Sequence, residues 1–241
     1  MNRHSFEIIS QNDYTLNSNR IDIWQFSLAT LHPAAFSLLN KEEKIRAERY
    51  YFPRHQRRFT MARAIMRSIL ARYIQQEPED LCFTTNEYGK PEINNPSHIQ
   101  FNLSHSQDLA LLAVGKEFPL GIDLEFLSKR PYQQLADHSF SKSESKVLLS
   151  LAPEVKALYF FHIWSQKEAF IKSSGLGLSY PTQDFSVPCT LPSNELVFDE
   201  KHDCYWQIRS FMPQIACCAA LCSNPLVTTI RYKVFSECPL L

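Results

Sequence analysis

The hydrophobic and polar positions of this chain change period several times, and each change marks an element. Ile21 to Leu28 is dense in apolar and β-favouring residues and predicts a strand. Asn40, followed three residues later by Glu43, is the signature of a capping box and opens a helix through Tyr50, which Pro53 breaks. From about Arg54 to Gln76, the residues Ala62, Ile65, Met66, Ile69, Leu70, Tyr73 and Ile74 recur at three-and-four spacing, which predicts a longer helix with one core-facing stripe. Glu77 to Asp80, with Pro78 among them, stops that helix. Asn86 to Pro91 reads as a turn with Lys90 at its tip.

Three strands are predicted next. Ile99 to Leu103 alternates and ends in the polar cluster Ser104-His105-Ser106, Leu109 to Val114 is a short apolar run, and Leu120 to Phe126 alternates again, with Gly115 and Pro119 between them. Ser141 and Glu144 form a second capping box, and Pro153 takes the first position of a long helix ending before Gly175. Phe185 to Val187, Leu196 to Phe198, Tyr205 to Phe211, Gln214 to Cys222 and Val227 to Phe235 predict the strands of a largely antiparallel sheet. This order describes an α+β protein built as two similar subdomains side by side.

Composition narrows the class. With 241 residues and 44% hydrophobic content the chain can bury a sizeable core without staples. Its seven cysteines are odd in number and lack CxxC spacing, which points to a reducing, cytoplasmic compartment. Cys217, Cys218 and Cys222 lie in a small, apolar segment without a nearby histidine and read as core thiols, not metal ligands. Met1 to Ser10 has no signal-peptide core, and no apolar run reaches spanning length, so no membrane role is expected. A formal net charge of zero removes the global basicity of a non-specific nucleic-acid binder. Locally, ten Lys or Arg face three Glu between Lys41 and Arg72, and Arg57 and Arg58 fall near a helix start, where free N–H groups also favour an anion.

The candidate chemistry rests on two segments. In Gly121 to Phe126 a strand's period of two sends Ile122, Leu124 and Phe126 to one face and both Asp123 and Glu125 to the other, which suits solvent or a hard cation. In the long helix, Trp164, Glu168 and Lys172 are spaced by four and share a face. An intrahelical ion pair is the bland reading. The apolar residues Phe160, Phe161, Ile163, Phe170 and Ile171 make the helix central, however, so its charges are expected to be used. A third carboxylate would complete an oxygen site for Mg²⁺ with room for a diphosphate. Ser104 beside His105 is not read as a hydrolase nucleophile and base, because sequence neighbours in a strand point apart and the Gly-x-Ser-x-Gly elbow is missing.

Taken in order, Tyr88-Gly89-Lys90-Pro91, Phe101 to Ser106, Gly121 to Glu125 and Trp164 to Lys172 resemble the motifs of 4′-phosphopantetheinyl transferases of the surfactin-synthetase-activating type. The resemblance runs from about residue 40 to 187. It implies a pseudo-twofold α+β fold with its active site in the cleft between subdomains 1–117 and 118–241. It implies Mg²⁺ on Asp123, Glu125 and Glu168, with His105 and Lys172 on the phosphates of coenzyme A. Arg58, Lys90 and Ser104 match positions at the nucleotide end, including its 3′-phosphate. The implied reaction moves phosphopantetheine from coenzyme A to a serine of an apo acyl- or peptidyl-carrier protein and releases 3′,5′-ADP. Glu168, or Glu125 through a water, would take the serine proton, and Lys172 would stabilise the leaving phosphate. An acidic carrier would meet a basic or apolar rim, with Phe140 and the helix from Ser141 facing it, and an internal pseudo-dimer lets a monomer suffice. The rival readings are a Mg²⁺-dependent phosphodiester or pyrophosphate hydrolase, and a non-catalytic module that binds coenzyme A or a carrier.

Overall fold

The computed structural model describes residues 13–235. Met1 to Ser10 and Cys238, read above for targeting and redox chemistry, lie outside the described residues. The chain runs β1 (Arg20–Ser27), α1 (Lys41–Glu48), α2 (Pro53–Ile74), β2 (Phe83–Thr85), β3 (Pro91–Ile93), β4 (Ile99–Ser106), β5 (Leu109–Lys116) and β6 (Leu120–Phe126). It continues through α3 (Tyr132–Ser139), α4 (Lys142–Ser150), α5 (Pro153–Ser174), β7 (Asn194–Asp199), β8 (Cys204–Phe211), β9 (Cys217–Ser223) and β10 (Thr229–Val234). Both predicted capping boxes form: the Asn40 side chain accepts from Glu43 N–H and the Ser141 side chain from Glu144 N–H, and each glutamate returns the bond. Pro53 opens α2 as well as ending the segment before it, since a missing N–H costs nothing at a first helical position.

Two four-stranded sheets, ordered β10-β1-β5-β4 and β6-β9-β8-β7, and a small β2-β3 hairpin carry the α+β architecture. Each large sheet is backed by a 22-residue helix. On the outer face of the first sheet, Met61, Ile65 and Ile69 of α2 pack with Trp24, Phe101 and Leu112. Between the sheets, Ile21, Ile23, Leu111 and Ala113 meet Ile122, Leu124, Ala219 and Leu221. On the far side, Phe160, Ile163 and Phe170 of α5 cover Ile208, Cys218 and Cys222. The strict alternation of β9 therefore puts Cys217 in the inter-sheet layer and Cys218 and Cys222 under α5, so the three thiols do not converge.

The sheets also meet edge to edge. Side chains of β4 at a spacing of two take the place of a paired strand: Asn102 Oδ1, Ser104 Oγ and Ser106 Oγ accept from the backbone N–H of Ile122, Leu124 and Phe126 at 2.9, 3.3 and 3.3 Å. β4 thus runs on through Ser106, where the sequence reading ended the strand at Leu103. β10 departs from the expected antiparallel pattern, because it pairs in parallel with β1. Buried Asp22 of β1 holds it there, accepting from Arg231 at 2.8 and 2.7 Å with Lys233 Nζ at 2.8 Å.

Two further differences have local causes. Phe185 and Val187 are buried and Ser186 between them is exposed, but the segment is not a strand. Its backbone is satisfied by charged side chains instead: Lys167 Nζ donates to Phe185 O at 2.7 Å and Val187 N–H donates to Glu144 Oε1 at 2.7 Å. α3 was not anticipated. It is one short helix with only Ala136 fully buried, too brief for a periodic signal.

Candidate active site

β6 presents its carboxylates as period two requires. Ile122 and Leu124 enter the inter-sheet core, so Asp123 and Glu125 face the side covered by α5. The helix comes close because residue 121 is glycine: a Cβ there would sit 2.1 Å from Ala169 O and 2.5 Å from Ser173 N. At that approach the face of α5 carrying Glu168 and Lys172 lies over the acidic strand. Lys172 does not turn back to Glu168 along its own helix. Its Nζ reaches Asp123 Oδ1 at 2.6 Å, Ser104 Oγ at 3.1 Å and Ile122 O at 3.2 Å.

Asp123 is buried, and its Oδ1 also accepts from Ser104 Oγ at 2.9 Å, while its Oδ2 is shielded from solvent with no partner. Glu125 Oε2 accepts from Ser106 Oγ at 3.1 Å. The carboxylates share one electrostatic neighbourhood. Burial first, then Asp123 and Glu125, push the Glu168 carboxyl up to about 6, against the pull of Lys172. Burial and then Asp123 likewise raise Glu125.

Cations lie beside these acids. His105, itself exposed at the end of the face of β4 opposite Ser104 and Ser106, is held below the usual imidazole range by partial loss of water and then by Lys172 and Arg58. Arg58 Nε and an Arg57 guanidinium nitrogen each donate to Asp108 Oδ1 at 2.8 Å, and Arg57 Nε also donates to Leu28 O at 3.0 Å. The two arginines expected to greet an outside anion therefore already hold a carboxylate of the protein. Asp108 was missed in the sequence, where it reads as a plain hairpin residue.

Lys90 stands differently from the exposed turn tip that was expected. Asn86 Oδ1 accepts from the N–H groups of Tyr88 and Lys90, and Asn86 Nδ2 donates to the carbonyl of Gly175, which ends α5 with φ +76°. The turn is thereby tied to the helix end, and Lys90 Nζ points inward to Leu120 O at 3.1 Å and Ser173 O at 3.5 Å. Burial lowers its ammonium to about 8. A hollow of about 270 Å³ lies here, lined from both halves by Tyr88, Lys90, Leu103, Glu168, Lys172 and Gly177 among others. Larger hollows, about 450 Å³ beside β7 and about 780 Å³ at the end of α2, contain none of the site residues.

Among the described residues no group of three or more His, Cys, Asp or Glu side chains is placed to hold a metal ion by itself. Mg²⁺ does not require one, because it usually takes one or two carboxylates and completes its shell with waters and phosphate oxygens. The residues fit such an ion on two counts. Asp123 Oδ2 is a buried acceptor without a donor, and Glu125 and Glu168, raised by burial and then by neighbouring carboxylates, carry negative charge that a divalent cation would offset.

Comparison with known proteins points the same way. A family model described as 4′-phosphopantetheinyl transferase, N-terminal, matches residues 23–117, and one described as 4′-phosphopantetheinyl transferase superfamily matches residues 119–220. The 4′-phosphopantetheinyl transferase HetI of Nostoc sp. is 41% identical over 175 residues, 68% of this chain and 73% of that protein. Sfp of Bacillus subtilis is 36% identical over 151 residues, 63% of this chain and 66% of that protein. The transferase gsp of Aneurinibacillus migulanus is 26% identical over 210 residues, 85% of this chain and 86% of that protein. With both halves matched in order and relatives at this level of identity, the chain belongs to the 4′-phosphopantetheinyl transferase family.

Proposed function

We propose that this chain moves the phosphopantetheine arm of coenzyme A onto a serine of an acyl- or peptidyl-carrier protein, releasing 3′,5′-ADP, with Mg²⁺ held by Asp123, Glu125 and Glu168. The observation that supports this reading is the close approach of α5 to β6 at Gly121, which sets Lys172 on Asp123 and leaves Glu168 raised by burial and by the charges of Asp123 and Glu125. A bound Mg²⁺ would neutralise the diphosphate and the charge growing on the leaving phosphate. Lys172, anchored on Asp123 and Ser104, is the chain's own cation for that leaving group. His105 donates to the phosphates from the exposed end of the β4 face opposite Ser104.

The carrier serine attacks the β-phosphorus: its oxygen forms the new P–O bond, and the bond to the departing 3′,5′-ADP breaks. Glu168, with its carboxyl lifted to about 6, takes the serine proton near neutral pH. Arg58, Lys90 and Ser104 bind the nucleotide end. For Arg58 this means sharing its guanidinium between Asp108 and the 3′-phosphate. For Lys90 it means that the ammonium swings from the carbonyls it now faces. Residues 1–117 and 118–241 act as the two subdomains, with β10 crossing back to β1. A monomer in a reducing cytoplasm suffices, and no helix of the described chain is long and apolar enough to cross a membrane.

The test is to mix protein, coenzyme A, Mg²⁺ and an apo carrier and to weigh the carrier. A mass gain of one phosphopantetheine, lost on chelation, is expected. Release of 3′,5′-ADP with the carrier unchanged would mean hydrolysis, and neither product on several carriers would leave only binding.

A further inference from the structure

Ser106 belongs to none of the roles above, yet it is placed as Ser104 is. Along β4 the side chains of Asn102, Ser104 and Ser106 accept from alternate N–H groups of β6. A hydroxyl has one proton and two lone pairs, so a serine that accepts from a backbone N–H still has its proton to give. Both serines give it to the acid one residue earlier on β6: Ser104 to Asp123 at 2.9 Å and Ser106 to Glu125 Oε2 at 3.1 Å. Asn102 makes the same backbone bond, but the residue one earlier than Ile122 is Gly121, which has no side chain to orient.

The spacing of two therefore matches the spacing of the acids, one hydroxyl per carboxylate, across the junction of the two halves. We propose that Ser106 is a positioning residue for Glu125: it fixes the rotamer of that carboxylate so that the opposite oxygen is turned toward the cation shared with Asp123 and Glu168. Its hydrogen bond to Phe126 N–H fixes the hydroxyl in turn. A donor behind a metal-bound carboxylate typically changes metal affinity by roughly ten- to a hundredfold. This inference rests on the metal site proposed above.

The experiment measures Mn²⁺ binding by electron paramagnetic resonance, without turnover and with coenzyme A present, in the wild-type chain and in Ser106→Ala, Ser106→Thr and Asn102→Ala. Ser106→Ala is expected to weaken Mn²⁺ binding about tenfold. It should raise the Mg²⁺ needed for half-maximal rate by the same factor, with the KM for coenzyme A at saturating Mg²⁺ unchanged. Ser106→Thr keeps the hydroxyl and should restore binding to within about twofold of wild type. Asn102→Ala removes a rung that touches no acid. It should lower the melting temperature and leave Mn²⁺ affinity alone. Wild-type affinity in Ser106→Ala, or an equal loss in Asn102→Ala, would overturn the inference while leaving the metal site standing. If the wild-type chain itself binds no Mn²⁺, the proposed metal site fails, and the role of Ser106 fails with it. Should Ser106→Ala not fold, Ser106→Val, which has the shape of threonine without its hydroxyl, takes its place: Ser106→Thr near wild-type affinity with Ser106→Val weakened about tenfold supports the proposal, and Ser106→Val at wild-type affinity contradicts it.

Discussion

The two long helices are built alike and used differently. α2 and α5 are both 22 residues, both carry proline in the first turn, both end on a residue in the left-handed region, and each backs a four-stranded sheet. α2 keeps one side toward water and carries Arg57 and Arg58 there, with buried Arg67 neutralised by Glu43 at 2.8 Å. α5 is closed in on most sides, and its buried polar groups all find internal partners. Lys167 pairs with Glu144 at 2.9 Å, and Gln166 Oε1 accepts from Ser193 Oγ at 2.7 Å. A helix with a wet face can carry charge at little cost. One enclosed on most sides has to commit its charges, and Lys172 is committed to Asp123 of β6.

That contrast can be broken most severely at Glu168. Glu168→Gln is expected to lower kcat by about a hundred- to a thousandfold, read from single-turnover transfer at saturating coenzyme A. The same variant should be no less stable without metal. A carboxyl raised from 4.5 to about 6 stabilises the fold below the lower value, and that contribution is lost as pH rises through about 6, so the neutral amide removes a cost above that pH. Metal-free denaturation at pH 5 and pH 8 reads this directly. A stability loss in Glu168→Gln at pH 8 would make the residue structural.

Next in size is the contact that lets α5 approach. Gly121→Ala places a methyl against the backbone of Ala169 and Ser173 and should destabilise by about 3 kcal/mol in urea. Gly115→Ala meets chiefly the side chains of Leu120 and Ile21, which can shift, and should cost about 1 kcal/mol. Equal losses would show that α5 is not pinned at Gly121.

The buried polar side of α5 also predicts an acid limb. Burial depresses His162 from 6.5 to about 4, so its contribution is present above 6.5 and is lost as pH falls toward 4. Stability should fall by roughly 2 to 3 kcal/mol over that window. His162→Gln should flatten the limb, and an unchanged limb would assign it to other groups. The smallest effect belongs to the wet helix. Arg58→Ala should raise the KM for coenzyme A about five- to tenfold with kcat nearly unchanged. Wild type and variant should bind coenzyme A lacking its 3′-phosphate alike. A variant defect that persists on the shortened substrate would remove Arg58 from that phosphate.

Much of this organisation was legible in local pattern. The period of two in Gly121 to Phe126 and the spacing of four from Trp164 to Lys172 put the acids and the lysine on the faces they occupy. Both capping boxes and the left-handed stop at Gly175 are equally local signals. What could not be read is what distant residues do to one another. Asn102, Ser104 and Ser106 looked like a polar strand end, and only the edge of β6 turns them into a ladder. Lys90 looked exposed until the Asn86 tie to Gly175 turned it inward. Phe185 to Val187 had strand composition, but two charged side chains from α4 and α5 took up its backbone groups. In hindsight three polar residues at period two beside an apolar strand are a sequence signal for such a ladder.

Anomalous diffraction from Mn²⁺ in crystals grown with coenzyme A tests the central claim most directly. One peak is expected within about 2.2 Å of oxygens from both β6 and α5, Asp123 or Glu125 together with Glu168, and of the diphosphate. A peak that touches the diphosphate but leaves Glu168 out of reach, or none near these acids, would contradict the shared-cation account.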